Sequence, residues 1–352
     1  MKIVVYAICK NEAAHVARFC DAAKDADSIV VCDTGSTDET VALLKDHADT
    51  VHSITISPWR FDDARNAALS LLPADADICI SLDLDEILQP GWREEVEKAW
   101  TQGTTRLRYL FDWGHGVRFY SEKIHARKGY RWHHPCHERI IPDRLTEVWQ
   151  DIHKLLVVHQ PDETKSRGQY LDLLRISIEE DPSCDRNAFY YARELLFTGN
   201  WDEAIKQGLK HLSLPKATWA EERAYCMRII GQSHAALNQR AEALSWLRKG
   251  CAEFDSRETW YALAFEAYTQ QRWAECYGAA KTCLSIQNRR DVYMAEKAVW
   301  GSAPYDLAAI AAWNLGLVEE SIKNAELAVS LSPDDLRLRQ NLELVKAAKK
   351  VA

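Results

Sequence analysis

The chain has 352 residues, 47% hydrophobic and 27% charged, a balance that suits folded domains and excludes a disordered protein. At roughly 100–200 residues per domain, this length predicts two domains. The formal net charge of −8 excludes a bulk basic face for nucleic acid, and 14 Gly with 10 Pro argue against long flexible linkers and turn-rich all-β architecture.

Lys2–Ile8 (KIVVYAI) reads as a buried strand and Ala13–Ala26 as a helix. Ser28–Cys32 is a second strand and Asp38–Ala48 a second helix. Val51–Ile56 alternates, Phe61–Leu72 is helical, and Ile78–Leu82 (ICISL) is a further strand. Such alternation predicts βαβ units and a parallel sheet covered on both faces, with ligands at the carboxyl ends of the strands. From about Asp185 the pattern is entirely helical and repeats. Ala204, Ala243, Cys276 and Ser321 occupy equivalent places, 39, 33 and 45 residues apart. A period near 34 is that of tetratricopeptide helix pairs, with extra residues in the longer connections. Val329–Ala348, including SPDD, reads as a capping helix. Trp201, Trp246, Trp273 and Trp313 are expected to pack between helices, which accounts for part of the 13 Trp.

No stretch approaches 18 apolar residues, and the start MKIVVYAICKNEAAH lacks the shape of a signal peptide. Ten scattered cysteines without a CxxC pair predict reduced, buried thiols and a cytoplasmic protein. P-loop, GxGxxG, GxSxG and HExxH motifs are absent.

The second strand runs into Asp33-Thr34-Gly35-Ser36-Thr37-Asp38. Thr37 and Asp38 are expected to cap the next helix, whereas Asp33, not needed as a cap, is expected to meet a ligand. ICISL ends in Asp83-Leu84-Asp85-Glu86. Strand side chains repeat every two residues, so both aspartates are expected on one face, where paired hard oxygens suit Mg²⁺ or Mn²⁺. Arg65 either reaches a phosphate or base edge, or lies on a surface helix capped by Asp62 or Asp63. Seven of the twelve His fall between positions 115 and 159, but their spacing fits no zinc pattern and Pro135 breaks any aligning helix. A loop at the active-site edge carrying Glu138 as a base fits better, and His159, ending the strand Leu155–His159, is a candidate metal ligand. Segment 106–139 holds Arg106, Arg108, Arg118, Lys123, Arg127, Lys128, Arg131 and Arg139, read as a cationic rim near a diphosphate or as a nucleic-acid patch.

Ala7–Glu12, Val31–Thr40, Ala64-Arg65-Asn66, Ser81–Leu88, Trp132–Glu138 and Val158-His159, in this order, resemble a family 2 glycosyltransferase of the GT-A fold, and a tetratricopeptide tail accompanies this branch. The resemblance implies a GT-A-type, Rossmann-like α/β catalytic domain over 1–165, a connecting segment over 166–184, and an all-α tetratricopeptide-like repeat domain over 185–352. It implies inverting transfer of a sugar from a nucleotide-sugar donor, a UDP-sugar favoured. Ala7, Cys9, Asn11, Glu12 and Asp33 would hold the nucleoside with Arg65 nearby. Asp83 would contact the ribose or the metal shell, while Asp85 and His159 would bind Mn²⁺ or Mg²⁺. Glu138 is the expected base and Asp112 the alternative. Trp113, Trp132, His133, His134 and His137 are candidates for the acceptor pocket, with loop packing as the other reading. The repeat domain is expected to recruit or orient an acceptor, be it protein, glycan or modified nucleic acid. Two rivals are a repeat scaffold with a non-catalytic nucleotide-binding domain and a nucleotidyltransferase. The second lacks the glycine- and arginine-rich first loop after Ile8.

Overall fold

The computed structural model describes residues 1–114, 116–161 and 168–349. The boundary expected at 165/166 lies outside them. The chain divides into two compact units, Met1–Ser177 with Asp291–Tyr293, and Ile178–Arg290 with Met294–Ala352.

In the first unit, β1 (Ile3–Cys9), β2 (Ser28–Asp33), β3 (Thr50–Ser53) and β4 (Ile78–Ser81) form a parallel group, connected through α1 (Ala13–Ala23), α2 (Thr40–His47) and α3 (Phe61–Ser70). The sheet continues with β5 (Glu86–Leu88), β6 (Arg106–Gly114), β7 (Val117–Ala126) and β10 (Trp149–His159), in the order β3-β2-β1-β4-β7-β6-β10-β5. α4 (Trp92–Ala99) lies between β5 and β6 in the chain, and β8 (Tyr130–His133) with β9 (Arg139–Pro142) makes a separate hairpin. The expectation of a parallel sheet therefore holds for β1 to β4 and for the pair β6 and β10, and fails elsewhere. β7 runs antiparallel to both β4 and β6, and β5 antiparallel to β10. The reason is local: only two residues lie between the end of β6 and the start of β7, too few for a parallel crossover.

β1 is buried along its whole length because both faces are covered. Its Ile3, Val5, Ala7 and Cys9 pack with Phe19 of α1, Leu44 of α2 and Trp92 of α4. Val4, Tyr6 and Ile8 face Ala64 and Ala68 of α3, and Tyr130 and Trp132 of β8.

The second unit consists of antiparallel helix pairs. They are α6 (Asp185–Phe197) with α7 (Trp201–Ser213), α8 (Ala220–Ala236) with α9 (Arg240–Glu253), α10 (Arg257–Thr269) with α11 (Trp273–Ser285), and α12 (Ala303–Asn314) with α13 (Val318–Leu331). α5 (Tyr170–Glu180) precedes them and α14 (Leu336–Lys349), capped by Asp335, closes the run. Ala204, Ala243, Cys276 and Ser321 each stand fourth in the second helix of their pair, and all four are fully buried. Gly231 shows how tight a pair is, since a Cβ there would meet Leu247 at 2.8 Å. The 45-residue interval comes from an insert between α11 and α12 that contains a short 3₁₀ turn, Lys297–Trp300. Two of the four tryptophans depart from expectation, Trp201 and Trp313 being 37% and 39% exposed, whereas Trp273 packs against the core of the helix pairs. All ten cysteines are free and nine are buried. Among the described residues, no helix is long and apolar enough to cross a membrane.

Candidate active site

β1 and β2 end side by side, with Cys9 opposite Asp33. Asn11 lies in the left-handed region (φ 55°), which Asn tolerates. Its N–H donates to Ser36 Oγ (2.8 Å) and its Oδ1 accepts from the Thr37 N–H (2.8 Å). The Glu12 N–H donates to Thr40 Oγ1 (2.7 Å), and Asp38 accepts from the N–H groups of Ala13 (3.3 Å) and Thr40 (3.0 Å), serving the first turns of two helices. Asp33 is 3% exposed, and its carboxylate accepts from the N–H groups of Gly35 (3.0 Å) and Ser36 (3.1 Å). It therefore holds its own turn and, as expected, does not cap α2, while Gly35 (φ 102°) gives the turn a conformation other residues resist. Ala7 has no accessible surface and Cys9 is buried, so of the proposed nucleoside contacts in this segment Asn11 and Glu12 are the ones at the surface.

Next to this edge lies a run of charges of alternating sign. Arg65, in the second turn of α3, is buried, not on a surface helix. Its Nε binds Glu138 Oε1, its Nη2 donates to Asp83 Oδ1 (2.6 Å), and its guanidinium stands over the Trp132 ring at 5.1 Å. Asp83 Oδ2 lies 3.5 Å from Lys123 Nζ, which donates to Glu86 Oε1 (2.7 Å). Glu86 Oε2 accepts from the Asp83 N–H (3.1 Å), closing the turn on itself. Burial works against the charge of Asp83, but Arg65 and Lys123 outweigh it and hold the carboxyl well below its ordinary range. Burial likewise opposes the Lys123 ammonium, yet Glu86 and Asp83 raise its pKa above the usual lysine value. For Glu86 burial wins, and its pKa is raised. α3 is fixed to the hairpin by Asn66, whose side chain accepts from the Trp132 N–H (2.9 Å) and donates to its carbonyl (2.8 Å).

β4 stops at Ser81, so Asp83 and Asp85 sit in a turn where the two-residue alternation does not apply. They face different partners. The register of β5 on β10 sets His159 opposite Glu86, which brings His159 Nε2 to 3.3 Å from Asp85 Oδ2. Trp113 stacks on the His159 ring (centroids 4.2 Å, planes 27° apart). Asp83 is engaged by two cations, so the donors facing each other are Asp85 and His159. Among the described residues, no group of three or more His, Cys, Asp and Glu is arranged around a metal position. One carboxylate and one imidazole fit a hard divalent cation that takes its remaining ligands from substrate phosphates and water.

The expected acceptor residues scatter. Trp132 is 2% exposed and its Nε1 donates to Tyr6 OH (3.0 Å), which removes it from any pocket surface. His133 ends β8, while His134 (φ 78°) and His137 (φ 50°) both lie in the left-handed region of the loop leading to Glu138. His137 is 5.9 Å from the Tyr170 ring. Asp112 accepts from the Gly114 N–H (2.9 Å) and from Arg118 Nε (2.9 Å), so both of its oxygens fasten the β6–β7 hairpin. The basic segment is largely neutralised: Arg106 pairs with Glu147, Arg108 with Asp151, Arg118 with Asp112, and Lys123 with Glu86. Arg127 is spent on the carbonyls of Leu72 and Pro73. Glu86 has no role expected from sequence, and Lys123 is expected only as one member of the cationic rim. A lysine inside an alternating strand and a third carboxylate after Asp85 are the signals that mark them.

Residues 4–151 match the family model described as glycosyl transferase family 2. LpsC, a lipopolysaccharide core biosynthesis glycosyltransferase of Rhizobium meliloti (strain 1021), is 27% identical over 158 residues, 41% of this chain and 58% of that protein. The chain thus spans a little over half the length of this curated relative. Among solved structures, the chain is similar to the Cut9–Hcn1 hetero-tetramer of the APC/C (17% identity, TM-score 0.42, covering 52% of this chain and 34% of that one). It is also similar to YrrB, described as a TPR protein with an unusual peptide-binding site (13% identity, TM-score 0.41, 50% and 84%). Over residues 4–151 the chain is thus similar to glycosyl transferase family 2.

Proposed function

We propose that this chain is an inverting glycosyltransferase that moves a sugar from a nucleotide donor, a UDP-sugar first, to an acceptor hydroxyl. The observation that carries this reading is the pairing of Asp85 with His159 beside the Arg65–Asp83–Lys123–Glu86 array, at the carboxyl edge of a family 2 domain. Asp85 and His159 would hold Mn²⁺ or Mg²⁺, and that cation would offset charge on the leaving diphosphate. The exposed Asn11 and the partly buried Glu12 offer the rim for the nucleoside, and Asp33 keeps the adjoining turn in shape. Arg65 keeps Asp83 ionised and oriented toward the donor. Glu138 is the base we assign, since it sits on the same guanidinium as Asp83, whereas Asp112 is committed to the hairpin. The neutralised basic segment disfavours nucleic acid as acceptor, and we assign the repeat unit to recruiting a protein or glycan. Free thiols throughout suit a reducing, cytoplasmic setting.

The test is thermal stabilisation by UDP, GDP, CMP and TDP, each with and without Mn²⁺, because a ligand of the folded state raises the melting temperature by mass action. A Mn²⁺-dependent rise with one nucleotide, absent in Asp85→Ala, is the expected result. No rise with any nucleotide would favour the alternative, a repeat scaffold on a domain that has lost donor binding.

A further inference from the structure

The strand β10 carries His159 at one end and Trp149 at the other, ten residues or roughly 30 Å away at strand rise. Around Trp149 the face of β6, β7 and β10 that bears Arg106 and Arg108 is open, while the opposite face, with Leu107, Tyr109 and Ile152, is core. Trp149 is 37% exposed, and its ring lies on the Arg106 guanidinium, 4.5 Å from the ring centre. Arg106 is itself buried, paired with Glu147 (2.9 Å), and donates to the Glu122 carbonyl (3.1 Å). Tyr120, 40% exposed, is backed the same way by Arg108 at 5.1 Å. Beside Trp149 an open pocket of about 450 Å³ is lined by Arg108, Gln150, Asp151 and His153. Arg108 and Asp151 bind each other through two bonds of 2.8 Å.

We infer that this face is a carbohydrate-binding platform, separate from the transfer site. The chemistry selects the ligand. A rigid exposed indole offers a flat apolar surface at little entropic cost, which suits the C–H face of a sugar ring. Arg108 and Asp151 hold each other and present planar donors and acceptors, which suits neighbouring hydroxyls. The Arg108–Asp151 pair cancels its own charge, so the floor lacks the unpaired cations that a phosphate or a nucleic-acid backbone requires. A neutral oligosaccharide meets all three conditions. Binding here needs no nucleotide and no cation, so the platform stands whether or not the transfer reading does.

The experiment applies the full chain, without nucleotide or metal, to an array of neutral hexose and N-acetylhexosamine oligosaccharides, and follows hits by titration. Wild type and Asp85→Ala are expected to bind the same glycans equally. Trp149→Ala is expected to lose at least about tenfold in affinity while keeping any nucleotide-dependent thermal shift. Tyr120→Ala, at an exposed ring, provides a second readout if Trp149→Ala does not fold, with a smaller loss of the same glycans. Three results would overturn the inference: no retention of any glycan by wild type, undiminished binding by both variants, or a change of oligomeric state in Trp149→Ala with glycan binding intact. Loss of nucleotide binding in wild type would overturn the transfer reading alone.

Discussion

Arg65 and Arg257, one buried arginine from each unit, are satisfied differently. In the first, Arg65 meets side-chain charges, Glu138 and Asp83, and the run continues through Lys123 to Glu86. In the second, Arg257 donates to the backbone carbonyls of Ile286 (2.7 Å) and Val299 (3.3 Å) and lies over the Trp300 ring at 4.2 Å. Carbonyls fix a chain path and carry no net charge, so Arg257 pins the insert and serves architecture. Carboxylates gathered beside a strand end leave charge to be used, and the next carboxylate along, Asp85, faces a histidine instead of a cation. Arg228, buried against Glu296, and Arg106, buried against Glu147, show that a carboxylate partner alone does not mark a reaction site; what sets the Arg65 cluster apart is the uncommitted pair that follows it.

Substitutions can break or sharpen this contrast. Asp85→Ala is expected to reduce glycosyl transfer by roughly a thousandfold or more, as loss of several kcal/mol of charge stabilisation implies, with an unchanged melting temperature. Transfer at the wild-type rate would remove Asp85 from the machinery. Lys123→Met leaves Glu86 buried without its cation and should cost about 3–5 kcal/mol in urea unfolding. The double variant Glu86→Gln/Lys123→Met should recover most of that stability. Arg257→Met removes two charge-assisted bonds and should cost about 2 kcal/mol, with nucleotide-dependent stabilisation untouched.

The smallest effect per step concerns His125 of β7. Its Nε2 accepts from Tyr6 OH (3.0 Å) and its Nδ1 donates to the Ala126 carbonyl (2.8 Å). Burial pushes its pKa down to about 3 from an ordinary 6.5. The folded state therefore takes up its proton later than the unfolded state does. Its contribution is complete above pH 6.5 and is lost as pH falls from 6.5 toward 3, at about 1.4 kcal/mol per pH unit. Chemical denaturation of wild type and His125→Gln between pH 7 and 4 measures it, and the variant should show the shallower decline.

The first four strands and three helices are legible because each carries a continuous apolar run or a helical period that one face of the sheet demands. β6 and β7 escaped because RLRYLFDWG and VRFYSEKIHA mix charges with apolar residues. Their two-residue alternation is present, but a half-open sheet face produces it, not a covered one. In the site, the motif Asp83-Leu84-Asp85 was visible, yet its division between Lys123 and His159 depends on how β5 pairs with β10. No local pattern specifies that register. The part Asp33 plays in its own turn was not legible for a similar reason, since amide donors from that turn carry no signature in residue type. The helix pairs were the easier half, because four small residues at one helical position mark where paired backbones approach.

The insert between α11 and α12 bears on how the helical unit comes apart. Arg228 of α8 binds Glu296, and Glu258 of α10 accepts from the Glu296 N–H (3.2 Å) and Trp300 Nε1 (3.1 Å). Repeat arrays in which each pair touches only its neighbours can fray from an end. Here the insert ties the second and third pairs to the chain entering the fourth, skipping past the nearest-neighbour scheme. Unfolding should then be concerted over α8 to α12, and amide exchange across those helices should report one shared opening free energy where a simple array would give a gradient.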